Sequence, residues 1–163
     1  MSSNNIIFED VVEIKYIDRQ VKIFDKVQRC EGKTKDGEYD VTMDINSEIY
    51  PMKVGACYSL NLATSIDNTS KESNSKELFN YDLFIKSKNT LLDKYEYVMC
   101  GKVFQFSNDK DKDRGTLSIS ISFGGLLFQI SGLKRDSTTL KPKFFEKVNL
   151  DDTLYLLMKK MPK

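Results

Sequence analysis

Histidine is absent from this 163-residue chain. Without histidine the chain lacks the commonest general base and metal ligand, and it has no Ser-His or Cys-His pair for nucleophilic catalysis. Cysteine is scarce, since only Cys30, Cys57 and Cys100 occur, scattered and without a CxxC pair. This pattern indicates neither a zinc site nor a disulfide framework, and it is typical of reduced cysteines in a cytosolic or nuclear protein. We therefore predict no catalytic residue, no metal site and no cofactor.

Long apolar runs and an excess of one charge are also missing. No stretch of eighteen apolar residues exists, and the first residues, MSSNNIIFEDVVEIK, have neither a basic start nor a cleavage site, so we expect no secretion and no membrane partner. Lys and Arg number 25 and Asp and Glu number 24, a balance that leaves no electrostatic footprint for a dedicated nucleic-acid binder. No phosphate-binding loop is present, and nothing indicates a reaction or a small-molecule substrate.

Residues 116–133, TLSISISFGGLLFQISGL, show the clearest structural pattern in the chain. Apolar residues occupy odd positions before Gly124-Gly125 and even positions after them, which is strand periodicity with a change of phase. A hairpin that turns at the two glycines keeps these side chains on one face, with Phe123 opposite Leu126. Both turn positions need positive φ in the favoured type I′ turn, which glycine adopts without strain. A β-bulge at the glycines is the less favoured alternative.

Alternation of apolar and polar residues predicts six further strands and no helix. In the third of the eight strands, Asp40 and Asp44 fall on the face that we expect to be wet. Short strands separated by turn signals predict a single all-β domain over residues 1–163, an antiparallel barrel or sandwich. The six further strands are predicted at residues 12–16, 21–27, 39–46, 58–66, 95–106 and 153–160.

The fifth predicted strand is apolar on both faces. One covering layer is the core of the domain, and the other must be a loop or another protein. One face holds Tyr95, Tyr97, Met99 and Val103, and the other holds Val98, Cys100, Phe104 and Phe106.

Two long connections interrupt the strands. Residues 67–94 are rich in Ser, Asn and mixed charge without a period of two, so we predict a flexible loop between the fourth and fifth strands. Residues 134–152 form a long connection to the last strand. The chain from residue 134 to its end is basic, with eight basic residues against four acidic ones.

Four strings of the sequence resemble one family, the small barrel subunit shared by the eukaryotic nuclear RNA polymerases I, II and III. SFGGLLFQISG at residues 122–132 matches the S-F-G-G-L-L core of the family, and YEYVMCGKVFQF at residues 95–106 resembles its Y-x-Y-V-M-x-G motif. MDINSEIYP at residues 43–51 is similar to its D-I-N-x-E-x-x-P segment, and YLLMKK at residues 155–160 resembles its closing strand. Order and spacing agree over nearly the full chain.

The resemblance implies an eight-stranded antiparallel barrel related to the oligonucleotide/oligosaccharide-binding fold, with a flexible loop between strands four and five. It also implies a non-catalytic nuclear subunit that docks on the largest polymerase subunit and contacts other polymerase subunits. Any contact with nucleic acid is then at most indirect or weak.

We predict a partner-binding surface on the fifth strand and at the hairpin tip. The glycines at the tip permit close approach of a partner backbone. The alternative for each of these residues is a tight turn or strand over ordinary core. The residues are Tyr95, Tyr97, Met99, Phe123, Gly124, Gly125 and Leu126.

A second hypothesis is a free-standing barrel protein that binds single-stranded nucleic acid. The barrel and the basic C-terminal region motivate it. It predicts binding of oligonucleotides at micromolar concentration or below, weakening steeply as salt is raised.

Overall fold

The strands of the protein close into a barrel in which every neighbouring pair is antiparallel. The computed structural model describes residues 5–19, 25–66, 94–109, 116–133 and 143–162. Around the barrel the order is β1-β2-β3-β7-β6-β5-β8-β4, and β4 pairs with β1 to close it. The predicted eight-stranded antiparallel barrel is confirmed. The elements are β1 (Ile6–Ile17), β2 (Val27–Thr34), β3 (Tyr39–Asn46), β4 (Cys57–Ala63), β5 (Tyr97–Asp109), β6 (Thr116–Phe123), β7 (Leu126–Leu133), α1 (Lys143–Glu146) and β8 (Thr153–Lys160).

Apolar side chains from every strand fill the inside of the barrel. Leu154, Leu156 and Met158 of β8 are fully buried, so the prediction that this strand closes the fold with these residues inside is confirmed. They belong to one cluster with the alternating residues of β6 and β7. Because burial of each large aliphatic side chain contributes roughly 1.5–3 kcal/mol, the closed barrel concentrates its stability in this cluster.

The β6–β7 hairpin has the predicted register. Phe123 pairs with Leu126 across the turn. Gly124 and Gly125 have φ angles of +62° and +96°, which fit the positive values of a type I′ turn. The hairpin prediction is confirmed, and the bulge alternative at the glycines is wrong.

The second strand differs from the prediction. Periodicity placed it at residues 21–27, whereas β2 begins where that segment ends, and residues 20–24 lie outside the described residues. Strand alternation is hard to see in its sequence, VQRCEGKT, because its inner face carries small residues. Cys30 is fully buried, which raises the pKa of its thiol to about 12, and a Cβ at Gly32 would lie 2.7 Å from the Glu13 carbonyl oxygen. β1 and β2 therefore approach too closely for a large apolar side chain.

A β-bulge in β5 changes the direction of its last side chains. The register with β6 shifts between Val103 and Gln105. Phe104 points outward and is 51% exposed, whereas Phe106 pairs with the fully buried Ile119 of β6. The prediction that Phe104 and Phe106 share one face is wrong, because the extra residue of the bulge inverts the alternation beyond it.

A second, smaller apolar cluster lies on the outer face of β4, β5 and β8. It confirms that β5 is apolar on both faces. Tyr95 packs in this outer cluster and Tyr97 packs inside the barrel, so the prediction that these two side chains share a face is wrong. The strand begins only at Tyr97, so Tyr95 lies before it and does not follow the alternation of the strand side chains. The cluster is formed by Ala63, Ile66, Tyr155 and Leu157, with Ile6, Tyr95, Val98 and Cys100 against it.

Most of the two predicted long connections lies outside the described residues, namely 67–93 and 134–142. The rest of the second connection contains α1, which the sequence pattern does not predict. This short helix packs Phe145 against the ring of Tyr39, with ring centroids 6.4 Å apart, and so caps one end of the barrel. Within the part of the chain that the structure describes, no helix is long and apolar enough to cross a membrane.

Candidate functional site

The end of the barrel opposite α1 brings together parts of the four sequence strings quoted above, whereas the strings at residues 95–106 and 122–132 also extend to the α1 end. We call this end the motif rim and define it as residues 43–51, 95–101, 122–127 and 155–160. The end of β3, the start of β5, the β6–β7 turn and the end of β8 all lie here, as antiparallel pairing requires. Hydrogen bonds join each of these four segments to another.

A partly buried ion pair joins β2, β3 and β7 at the motif rim. The Nε and Nη2 atoms of Arg29 donate to the two carboxylate oxygens of Asp44 at 2.7 and 3.0 Å. The backbone N–H of Leu127 donates to the same carboxylate at 3.1 Å. The pKa of Arg29 is raised, chiefly by its hydrogen bond to Asp44. The prediction that Asp44 lies on a wet face is wrong, because strand alternation does not reveal a cross-strand partner such as Arg29.

Tyr97 connects β5 to the end of β3 from inside the barrel. Its side chain is 5% exposed, and its ring stacks on Tyr50 with centroids 5.2 Å apart. The hydroxyl accepts the backbone N–H of Asn46 at 3.1 Å and donates to the sulfur of Met99 at 3.1 Å. The structure therefore brings Tyr97 and Met99 together beneath the surface of the rim.

Glu96 joins the β3–β4 loop to the end of β8. The hydroxyl of Tyr50 donates to Glu96 Oε2 at 2.6 Å, and the backbone N–H of Lys160 donates to the same oxygen at 3.1 Å. The hydrogen bond from Tyr50 is the main reason why the pKa of Glu96 is lowered. The pKa of Tyr50 is raised, chiefly by burial and then by this hydrogen bond. The exposed carboxylate of Glu96 therefore joins its own segment, residues 95–101, to residues 43–51 and 155–160.

The hairpin tip shows a buried base and an exposed turn. Phe123 is 4% exposed and lies over Gly101 of β5, where a Cβ atom would be 2.7 Å from the phenyl ring. Gly124 and Gly125 are exposed, and Leu126 is half-buried against the core. Of the predicted partner-binding residues in the hairpin, the two glycines and Leu126 are therefore accessible from outside.

Tyr95 lies apart from the other predicted residues. Its ring packs in the outer cluster, and its hydroxyl is hydrogen-bonded to the side-chain amide of the buried Asn61 on β4. Tyr95 therefore faces the side of the barrel, whereas Tyr97 and Met99 face its interior.

Ile49 is a candidate contact residue that the sequence reasoning missed. It is 69% exposed at the rim, between Asn46 and Pro51. Its loop is fixed by hydrogen bonds from the N–H of Glu48 to the Asn46 side chain at 3.1 Å and from the N–H of Tyr50 to the Asn46 carbonyl at 2.9 Å. The signal in the sequence is an aliphatic residue inside a polar turn that ends in proline.

The chemistry of the motif rim is that of a rigid contact surface. Its carboxylates are Asp44, Glu48 and Glu96, and each is engaged with a group of the same chain. Among the described residues, no group of three or more Cys, Asp or Glu side chains could hold a metal ion. The rim therefore offers shape, apolar side chains and fixed backbone rather than a reacting group.

The chain is similar over nearly its whole length to one family of proteins. The family model described as RNA polymerase Rpb8 matches residues 9–160. DNA-directed RNA polymerases II, IV and V subunit 8B of Arabidopsis thaliana is 33% identical over 99% of this chain and 100% of its own length. DNA-directed RNA polymerases I, II, and III subunit rpabc3 of Dictyostelium discoideum is 36% identical over 96% of this chain and 98% of its own. As its motifs predict, the chain belongs to the RNA polymerase Rpb8 family and is a non-catalytic polymerase subunit.

Proposed function

We propose that this chain is a nuclear subunit shared by more than one RNA polymerase, and that it docks on the largest subunit through the motif rim. The names of its relatives support sharing, since the Dictyostelium relative is named for polymerases I, II and III and the Arabidopsis relative for II, IV and V. The observation that carries the proposal is the meeting, at one end of the barrel, of parts of four strings that are separated in the sequence.

Rigidity supports the choice of the motif rim as the docking surface. The rim is fixed before binding by the Arg29–Asp44 ion pair, by the stacked rings of Tyr50 and Tyr97 and by the hydrogen bonds of Glu96. A preorganised surface loses little conformational entropy on association, so more of its contact energy appears as affinity. The role of the subunit is then to stabilise the assembled polymerase by presenting a fixed surface.

The predicted partner-binding residues divide into two kinds within this proposal. The exposed kind consists of Gly124, Gly125 and Leu126, whose flat turn allows close approach of a partner. The buried kind supports the surface from below or from the side, and its members are Tyr95, Tyr97, Met99 and Phe123.

Replacing Ile49 with aspartate is expected to weaken the association with the largest polymerase subunit at least about tenfold, because a charge then enters the centre of an apolar contact. The melting temperature should stay unchanged, since the side chain is exposed. The measurement is the amount of the largest subunit recovered with the tagged, full-length variant from nuclear extract.

The control is Val54→Asp, because Val54 lies in the same loop, is 60% exposed and stands outside the motif rim. It should retain the largest subunit as the unaltered chain does. Equal losses from both variants, or from neither, would contradict docking through the rim. Steep, salt-sensitive binding of an oligonucleotide by the purified chain would instead favour the nucleic-acid hypothesis.

A further inference from the structure

A groove lies at the end of the barrel opposite the motif rim, between the β5–β6 pair and the segment that follows α1. Its volume is about 480 Å³. The floor is apolar and buried, since Leu117, Phe145 and Val148 are all less than a tenth exposed. At its mouth Leu150 is 58% exposed and Phe106 is 40% exposed. We call this feature the far groove.

The β-bulge in β5 places Phe106 in the far groove. Without the extra residue at Phe104 and Gln105, Phe106 would stand on the outer face of the sheet, as the sequence pattern predicts. With the bulge it pairs with the inward Ile119 and lines the groove beside Phe145. Bulges at barrel rims commonly redirect a side chain toward a binding site.

The charge of the far groove complements a cation. Glu146 is the one ionisable residue among the nine that line it. This carboxylate is exposed and forms no ion pair with any residue in the described part of the chain. A large apolar side chain would fill the floor while a neighbouring lysine or arginine met Glu146 at the mouth.

We propose that the far groove binds a segment of a second polymerase subunit in which a large apolar side chain lies next to a lysine or arginine. The inference rests on the proposed function, because other polymerase subunits are then the proteins held beside this chain. Apolar side chains exposed together around a concave floor mark contact sites in assemblies. The chain would thus contact its assembly at both ends of the barrel.

Photo-crosslinking in the assembled polymerase tests the proposal. A photoreactive amino acid replaces Leu150 in the tagged, full-length chain, and a second preparation carries it at Ile49 on the motif rim as a control for assembly. The expected adduct at position 150 joins a segment of another subunit that contains a large apolar residue beside Lys or Arg. Phe106→Ala and Glu146→Lys should each lower the yield of this adduct at least about fivefold.

Two matched variants should leave the yield at position 150 unchanged. Phe104→Ala removes the same ring from the same strand, outside the groove, and Lys147→Glu reverses a neighbouring exposed charge that does not line it. If Phe106→Ala unfolds the chain, Glu146→Lys still tests whether the far groove binds the partner segment, because the side chain of Glu146 is exposed and its replacement should not affect folding. Adducts confined to this chain, or equal yields in Glu146→Lys and Lys147→Glu, would overturn the proposal while adducts at Ile49 persist. Loss of every adduct and of every co-purified polymerase subunit would overturn the proposed function itself.

Discussion

Replacing Gly101 with alanine is expected to lower the free energy of unfolding by about 3 kcal/mol or more, which is a large part of the stability of a typical domain. A Cβ atom at this position would lie 2.1 Å from the Ser122 carbonyl oxygen and 2.7 Å from the ring of Phe123. The first of these atoms belongs to the backbone of β6, so the two strands would have to separate. Chemical denaturation of the purified variant, followed by circular dichroism, measures the loss.

Gly124→Ala is the matched control for this prediction. Nothing lies within 4 Å of a Cβ atom at Gly124, and the φ angle there is +62°. Alanine then meets only the intrinsic cost of the left-handed conformation, about 1–2 kcal/mol. A variant of Gly101 that is as stable as the Gly124 variant would contradict the close approach of β5 and β6.

The second large effect is expected at Asp44. Replacing it with alanine should lower the free energy of unfolding by about 2 kcal/mol, because the partly buried N–H of Leu127 loses its acceptor and Arg29 loses its counter-charge. Asp40→Ala on the same strand is the control. Asp40 is exposed, its nitrogen-to-oxygen distance to Lys33 is 3.9 Å, and its loss should cost less than about 0.5 kcal/mol.

A double-mutant cycle identifies the partner of Asp44. If the ion pair is the cause, Arg29→Ala combined with Asp44→Ala should cost clearly less than the sum of the two single variants. Additive losses would mean that Arg29 and Asp44 are not coupled. This outcome would contradict the assigned ion pair and leave the hydrogen bond to Leu127 as the role of the carboxylate.

Strand periodicity predicts a strand correctly where one face of the strand is in the core and the other is in a polar environment. The β6–β7 hairpin is the best case, because its inner face is apolar and its outer face is mostly serine and glutamine. β2 is misplaced because its inner face must stay small against β1, so Cys30, Gly32 and Thr34 stand where a pattern requires large apolar residues.

The candidate site could be predicted only in part. Periodicity draws attention to residues Tyr97 and Phe123, but it does not distinguish a side chain that supports a surface from one that forms it. The hydrogen bonds of Asp44 to Arg29 and Leu127 join residues far apart in the chain, which alternation along one strand does not reveal. A bulge of one residue in β5 is equally invisible to alternation, and it decides where Phe106 points.

Function was predictable from motifs rather than from the barrel, since barrels of this kind serve many purposes. The strings at residues 43–51, 95–106 and 122–132 resemble the family to which the chain belongs, and the structure gives several of their residues a physical role. Gly101 admits Phe123, Asp44 binds Arg29, and the glycine pair closes a tight turn. These internal roles exist alongside any role in docking.

The most direct test of the account is purification of the tagged, unaltered chain from nuclear extract at moderate salt, with co-purified proteins identified by mass spectrometry. A shared polymerase subunit should recover the largest subunits of more than one nuclear RNA polymerase, in amounts comparable to its own. Recovery of the chain alone, or only together with nucleic acid, would contradict the proposed role. It would favour the hypothesis of a free-standing barrel protein that binds nucleic acid.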